Sequence, residues 1–107
     1  MAMNLQNPLQ EMRHNRLYII VDKSLEPVYG CVQGGHAACQ FLLEHPDSDW
    51  KNDYLIYLYG DVERLRYKLS RTDKRFSEFR EPDLGDRLTS IAVEDDGRMF
   101  RNYRLVA

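Results

Sequence analysis

Short continuous apolar runs alternate along this chain with segments whose apolar positions recur at helical spacing. Leu17-Tyr18-Ile19-Ile20-Val21, closed by Asp22-Lys23-Ser24, and Tyr54-Leu55-Ile56-Tyr57-Leu58-Tyr59, closed by Gly60, are rich in β-branched and aromatic residues. That is the pattern of strands covered on both faces. Between them, after Gly30, apolar residues fall on helical lines: Cys31, Gly35, Ala38 and Leu42 on one, Val32, Cys39 and Leu43 beside it. A helix entered from a turn at Gly30 is predicted, with Gly34 and Gly35 in its first turns, where each glycine costs about 1 kcal/mol against alanine. Two explanations stay open: the helix lies too close to a sheet for a Cβ, or a ligand approaches the first-turn N–H groups. The apolar line puts Gly35 on the packed face and Gly34 off it. Gly35→Leu is then the substitution that overpacks and Gly34→Ala the one that stabilises.

Further along, Asp61 is placed to cap a second helix carrying Val62, Leu65 and Leu69 on one face and ending near Thr72. Residues 75–80 read as a strand stopped by Pro82, and residues 88–93 as another. Asp96-Gly97 has hairpin-turn chemistry, so residues 99–106 are predicted to return as an antiparallel edge strand, its arginines Arg98, Arg101 and Arg104 discouraging edge-to-edge association. The order β-α-β-α-β-β plus a C-terminal strand makes an α/β layer fold, with the parallel pair that a β-α-β unit favours. Trp50, in the acidic turn-rich connection before residue 54, is expected to cap the edge of the core. Residues 1–15 are polar and aperiodic and read as a flexible arm in which His14 has no role; residues 16–107 read as one domain.

Composition narrows the function classes. A hydrophobic share of 43%, a charged share of 30% and a net charge of −2 argue against disorder and against a uniformly basic coat, so any electrostatic function rests on local patches. No apolar run reaches membrane-spanning length and the N-terminus lacks signal-peptide order, giving a cytoplasmic expectation with no membrane partner. Cys31 and Cys39 on one helix stand about 12 Å apart, beyond disulfide reach, and are expected to be reduced packing residues. No metal-ligand spacing and no nucleophile elbow occurs, so neither metal nor cofactor is expected. The oligomeric state is left open, a homodimer included.

The strand at 17–21, the loop with Pro27 and Gly30, and above all Gln33-Gly34-Gly35-His36-Ala37 resemble the opening of the type II peptidyl-tRNA hydrolase family, in which a strand leads into a helix bearing Gln-x-x-His-Ala. Phe79-Arg80-Glu81-Pro82-Asp83-Leu84 followed by Leu88-Thr89-Ser90-Ile91-Ala92 is similar to a bacterial and phage branch of that family. The resemblance covers residues 17–93. It implies a three-layer α/β/α domain around a small mixed sheet, four-stranded in the family, and hydrolysis of the ester joining a peptide to tRNA. Two departures weigh against activity. Tyr29 stands where the family carries a loop lysine, and Glu81-Pro82-Asp83 replaces an Asp-Ala-Gly-Arg-Thr motif. The alternative is a catalytically inactive relative that binds RNA, a nucleotide or a protein.

Ester hydrolysis needs an activated water, a base and donors for the developing oxyanion. The candidates are His36 as base, Glu81 or Asp83 to hold its imidazole, and the N–H groups near Gly34 as donors, with Gln33 and Tyr29 beside the substrate. For each, a structural role competes: a packed or capping histidine, an exposed helical glutamine, a carboxylate-rich turn. The basic residues Arg64, Arg66, Lys68, Arg71, Lys74, Arg75 and Arg80 leave residues 64–80 net positive by five, and residues 81–96 reverse the sign. The basic segment either pairs with the acidic one or contacts tRNA phosphates, with Arg71 and Lys74 as the substrate-binding candidates.

Overall fold

Leu17, Ile19 and Val21 turn to one face of the sheet and Tyr18 and Ile20 to the other, and all five are buried. They form β1 (Arg16–Asp22), the central strand of a computed structural model that describes residues 16–106; the N-terminal arm and His14 lie outside the described residues. The chain continues through α1 (Pro27–Glu44), β2 (Tyr54–Gly60), α2 (Val62–Leu69), β3 (Phe76–Glu81), a 3₁₀ turn (Pro82–Leu84), β4 (Arg87–Asp95), a second 3₁₀ turn (Arg98–Phe100) and β5 (Arg104–Leu105). The mixed sheet has the order β3-β4-β1-β2-β5: β1 and β2 are parallel, and the other neighbours are antiparallel. The α/β class and the predicted element order hold.

Each face of β1 carries its own core. Leu17, Ile19 and Val21 pack with Ala37 and Phe41 of α1, Trp50 and Ala92. Tyr18 and Ile20 pack with Val62, Leu65 and Leu69 of α2, Leu88, Ile91, Val93 and Phe100. The two helices thus cover opposite faces. The Asp61 cap is present, its carboxylate accepting from the Arg64 N–H. Trp50 is buried at the core edge and donates its indole N–H to the Tyr54 carbonyl at 3.0 Å.

Helix α1 differs from its predicted form in where it starts and which face it buries. It begins at Pro27, whose fixed φ and missing N–H suit a first helical position, after Glu26 accepts from the N–H groups of Val28 and Tyr29 at 3.3 and 2.6 Å. Gly34 and Gly35 therefore lie mid-helix, where their N–H groups serve the helix ladder instead of awaiting an oxyanion. The buried positions are Gly30, Gln33, Gly34, Ala37 and Phe41, whereas Val32, Leu42, Leu43, Cys31 and Cys39 are exposed. Small residues are on the inside because the helix runs close to β1. A Cβ built on Gly34 would stand 2.6 Å from Tyr57 Cε2 and 2.7 Å from Ile19 Cγ2, while one on Gly35 would meet nothing nearer than the Tyr57 hydroxyl at 4.0 Å. The roles expected of the two glycines are exchanged, and the cysteines are free thiols on the surface instead of packing residues.

The C-terminal hairpin does not form. Gly97 takes a positive φ of 96°, but the chain then turns through Arg98–Phe100 and crosses to the far edge, where β5 pairs with β2 (Leu58 opposite Leu105, Tyr59 opposite Arg104). Phe100 and Tyr103 decide this. Three residues apart, as in a helical turn, they meet edge to face with centroids 5.1 Å apart, and Phe100 packs on Tyr18 at 4.9 Å. An extended strand would send those two rings to opposite faces. Of the arginines assigned to edge protection, Arg104 alone stands in the edge strand β5; Arg98 pairs with Asp96 at 3.2 Å.

Candidate functional site

Gln33 is the buried polar centre of the α1 layer. Its Nε2 donates to Glu81 Oε1 at 3.0 Å, its Oε1 accepts from Thr89 Oγ1 at 2.5 Å, and its backbone carbonyl accepts from Ser90 Oγ at 2.7 Å. A bulge makes this geometry available. In the β3–β4 pairing Phe79 faces Ser90, but the next pair is Arg80 with Leu88, which leaves Thr89 without a partner on β3. The extra residue kinks the strand and re-aims its side chain, so Thr89 and Ser90 both reach α1. Gln33, Glu81 and Thr89 come from three separate segments, each contributing to the sequence resemblance. Thr89 and Ser90 are not among the candidate site residues that the sequence offers; their signal there is two adjacent hydroxyls inside an apolar run.

His36, one turn beyond Gln33, is exposed and lies flat on Phe79, with ring centroids 4.7 Å apart and planes inclined by 17°. Among the described residues nothing hydrogen-bonds its imidazole. Glu81 is engaged by Gln33, and Asp83, on the exposed 3₁₀ turn, has no hydrogen-bond or ion-pair partner among the described residues; neither holds His36 as expected. The first-turn N–H groups of Val28 and Tyr29 are taken by the Glu26 carboxylate, and Gly34 is covered by Tyr57 and Ile19. Tyr29 stands half-buried in the first turn of α1.

Arg71 and Lys74 belong to a different region. The registers put Phe76 beside Val93 and Val93 beside Tyr18, whereas Glu81 sits near Arg87 at the other end of the strand. The length of β3, about 17 Å, therefore separates Lys74 from Glu81. Lys74 is bound to the buried Asp95, and Arg71 donates to the Tyr67 hydroxyl at 2.8 Å while lying over its ring. Other members of the basic segment are paired: Arg66 and Arg80 with Glu78, and Arg75 with Asp47. Four of the seven basic residues thus meet a carboxylate, Lys74 alone one from residues 81–96, and among the described residues Arg64, Lys68 and Arg71 meet none, so the segment keeps a net positive charge.

The second polar hub is Asp22, at the end of β1. Its carboxylate accepts from the Ser24 hydroxyl and N–H, from Arg87 at 3.1 Å, and from the Val62 N–H at 3.5 Å. Burial alone would raise its pKa, but the bonds from Ser24 and Val62 and the charge of Arg87 outweigh it and hold the carboxyl below its ordinary value. A depressed carboxylate stabilises the fold above its unfolded pKa and loses that contribution as pH falls through the folded value. Asp22→Asn should therefore be less stable than the native chain at pH 7. In urea titrations the gap should narrow below about pH 4; a gap constant from pH 7 to pH 2.5 would rule out the carboxylate's charge as its source.

Among the described residues, no group of three or more His, Cys, Asp or Glu is placed to hold a metal ion, and no helix is long and apolar enough to cross a membrane. No family model matches this chain, and no curated protein matches it either.

Proposed function

We propose that this chain is a peptidyl-tRNA hydrolase-like protein that acts on the ester between tRNA and a peptide or blocked amino acid. The observation that carries the reading is the meeting of Gln33, Glu81 and Thr89, drawn from the three segments of the resemblance, in one hydrogen-bonded network with His36 exposed one turn away. In this reading His36 takes a proton from water, the water oxygen attacks the ester carbonyl carbon, and the ribose hydroxyl departs with a proton. Gln33 and Thr89 act as positioning residues: they fix α1 against the Glu81 turn and so set where His36 stands.

A second reading, an inactive relative that binds its ligand without turnover, is favoured by the lack of any contact from Glu81 or Asp83 to His36, and by Tyr29 at the position of the family's lysine. Incubating the folded protein with N-blocked aminoacyl-tRNA and following ester release separates the two. The hydrolase reading expects turnover that His36→Ala lowers by about 100-fold or more, with the fold kept and the melting temperature lowered only by the loss of the stacking on Phe79. Binding without turnover supports the second reading. Turnover unaffected by His36→Ala removes the base assignment.

A further inference from the structure

On the opposite flank of α1 from His36, at the carboxyl ends of the parallel strands β1 and β2, lies a cleft of about 760 Å³. Its walls are Lys23, Leu25 and Pro27 on one side and Tyr103 and Arg104 on the other, with Tyr59 between them. A smaller cavity shares Lys23, Tyr59, Tyr103 and Arg104 and extends the cleft over Gly60. The position is set by topology. β1 leads into α1 on one face of the sheet and β2 into α2 on the other, so the connections diverge between two neighbouring parallel strands. Such a switch point opens a crevice in α/β sheets and is where their ligands bind.

The chemistry of the cleft is cationic and aromatic. Among the described residues, neither Lys23 nor Arg104 has a carboxylate partner; the Arg104 guanidinium lies 5.5 Å over the Tyr59 ring. The carboxylates that flank cleft residues in the chain, Asp22 and Glu26 about Lys23 and Leu25 and Asp61 after Gly60, already accept hydrogen bonds. Asp22 is held by Ser24 and Arg87, Glu26 by the N–H groups that begin α1, and Asp61 by the Arg64 N–H. Two cations that make no ion pair among the described residues, set between aromatic and apolar walls, give the cleft the groups that hold a phosphate and a base, in a space suited in size to a mononucleotide.

We infer that this cleft binds a nucleotide, its phosphate between Lys23 and Arg104 and its base against the Leu25 and Pro27 wall and the Tyr59 face that the Arg104 guanidinium leaves when it turns to the phosphate. Guanidinium and ammonium groups recognise phosphate through charge-assisted hydrogen bonds, and a tyrosine face stacks any base, which gives class selectivity without reading base identity. The nucleotide is either free or the end of a single-stranded RNA, and both present the same phosphate and ring. The site is independent of ester hydrolysis, since none of its residues belongs to the Gln33 network or touches His36.

Calorimetric titration of the full chain with adenosine 5′-monophosphate, adenosine and a short single-stranded RNA tests it. The monophosphate, or the RNA if that is the source, should bind at least about tenfold more tightly than adenosine. The double variant Lys23→Gln/Arg104→Gln should erase at least that advantage. Both side chains are exposed, so the variant should melt with the native chain. Lys51→Gln/Arg98→Gln, the same charge change elsewhere, should bind as the native chain does. Saturation by the monophosphate identifies a free nucleotide; binding of the RNA alone, lost in the same variant, identifies an RNA end. No binding of either, equal binding of adenosine and its monophosphate, or equal weakening in the control variant overturns the inference.

Discussion

Gln33→Leu should destabilise the fold by about 2 kcal/mol, lowering the melting temperature by roughly 8–16 °C for a domain of this size. Leucine fits the volume, so the loss is polar. Removing the amide leaves Thr89 Oγ1, fully buried, with only the long 3.5 Å bond to the Phe79 carbonyl, and leaves Glu81 without the Nε2 donor. A buried group that loses its good partner bears its desolvation cost without compensation, which is why truncating one side costs more than the bond itself contributes. The companion variant decides whether that explanation holds. Thr89→Val alone should also destabilise, but Gln33→Leu/Thr89→Val should recover part of the deficit, with a coupling of about 1 kcal/mol in a double-mutant cycle. Strict additivity would place the cost of Gln33→Leu in packing and remove the network from the account. Ester release by the same variants adds a functional readout. If the network positions His36, both single variants should lose turnover at temperatures well below their melting points.

What was legible in the sequence follows from how local each determinant is. The runs at 17–21 and 88–93 became strands because continuous apolar and β-branched residues have few other ways to be buried, whereas the run at 54–59 formed a strand that is not covered on both faces as expected: Leu58 is buried, but Tyr54 and Leu55 stay exposed. Asp61 caps α2 because a short carboxylate before an amphipathic segment needs only its own backbone neighbours. The buried face of α1 was not legible by hydrophobicity. That face is selected by closeness to β1, which admits Gly30, Gly34 and Ala37, while larger apolar residues such as Leu43 remain outside. The start of α1 was obscured because glutamate is an unusual cap and Val28-Tyr29 favours extended backbone. The candidate site divides in the same way. Gln33 and His36 fall where a helix after the first strand puts them, but the bonding of Glu81 to Gln33 instead of His36 depends on the bulge at Thr89, which arises from pairing between β3 and β4. The route of β5 likewise depends on where Phe100 finds a pocket, beside Tyr18 two strands away from its final edge.

Gly34 and Gly35 should respond to the same substitution with opposite signs, because one faces β1 and the other faces outward. Alanine favours a helix interior over glycine by roughly 1 kcal/mol, and at Gly35 nothing opposes that gain, since a Cβ meets only the Tyr57 hydroxyl at 4.0 Å. Gly35→Ala is expected to stabilise by about 0.5–1 kcal/mol. At Gly34 the methyl would enter the space of Tyr57 Cε2 and Ile19 Cγ2, with Val21 Cγ1 at 3.1 Å. Tyr57 is half-buried and its ring can yield, but Ile19 and Val21 are fully buried in the central strand. Helix and sheet must therefore separate, at an overpacking cost of roughly 1–3 kcal/mol that exceeds the propensity gain. Gly34→Ala should melt below the native chain and Gly35→Ala above it, and Gly34→Leu should fall further, because three more carbons meet the same wall. Separation of the helix would also loosen Gln33, its immediate neighbour, so Gly34→Ala should couple to Thr89→Val while Gly35→Ala should not. Equal shifts from the two alanine variants would falsify the close approach of α1 to β1, and with it the reason this helix carries glycine in its middle turns.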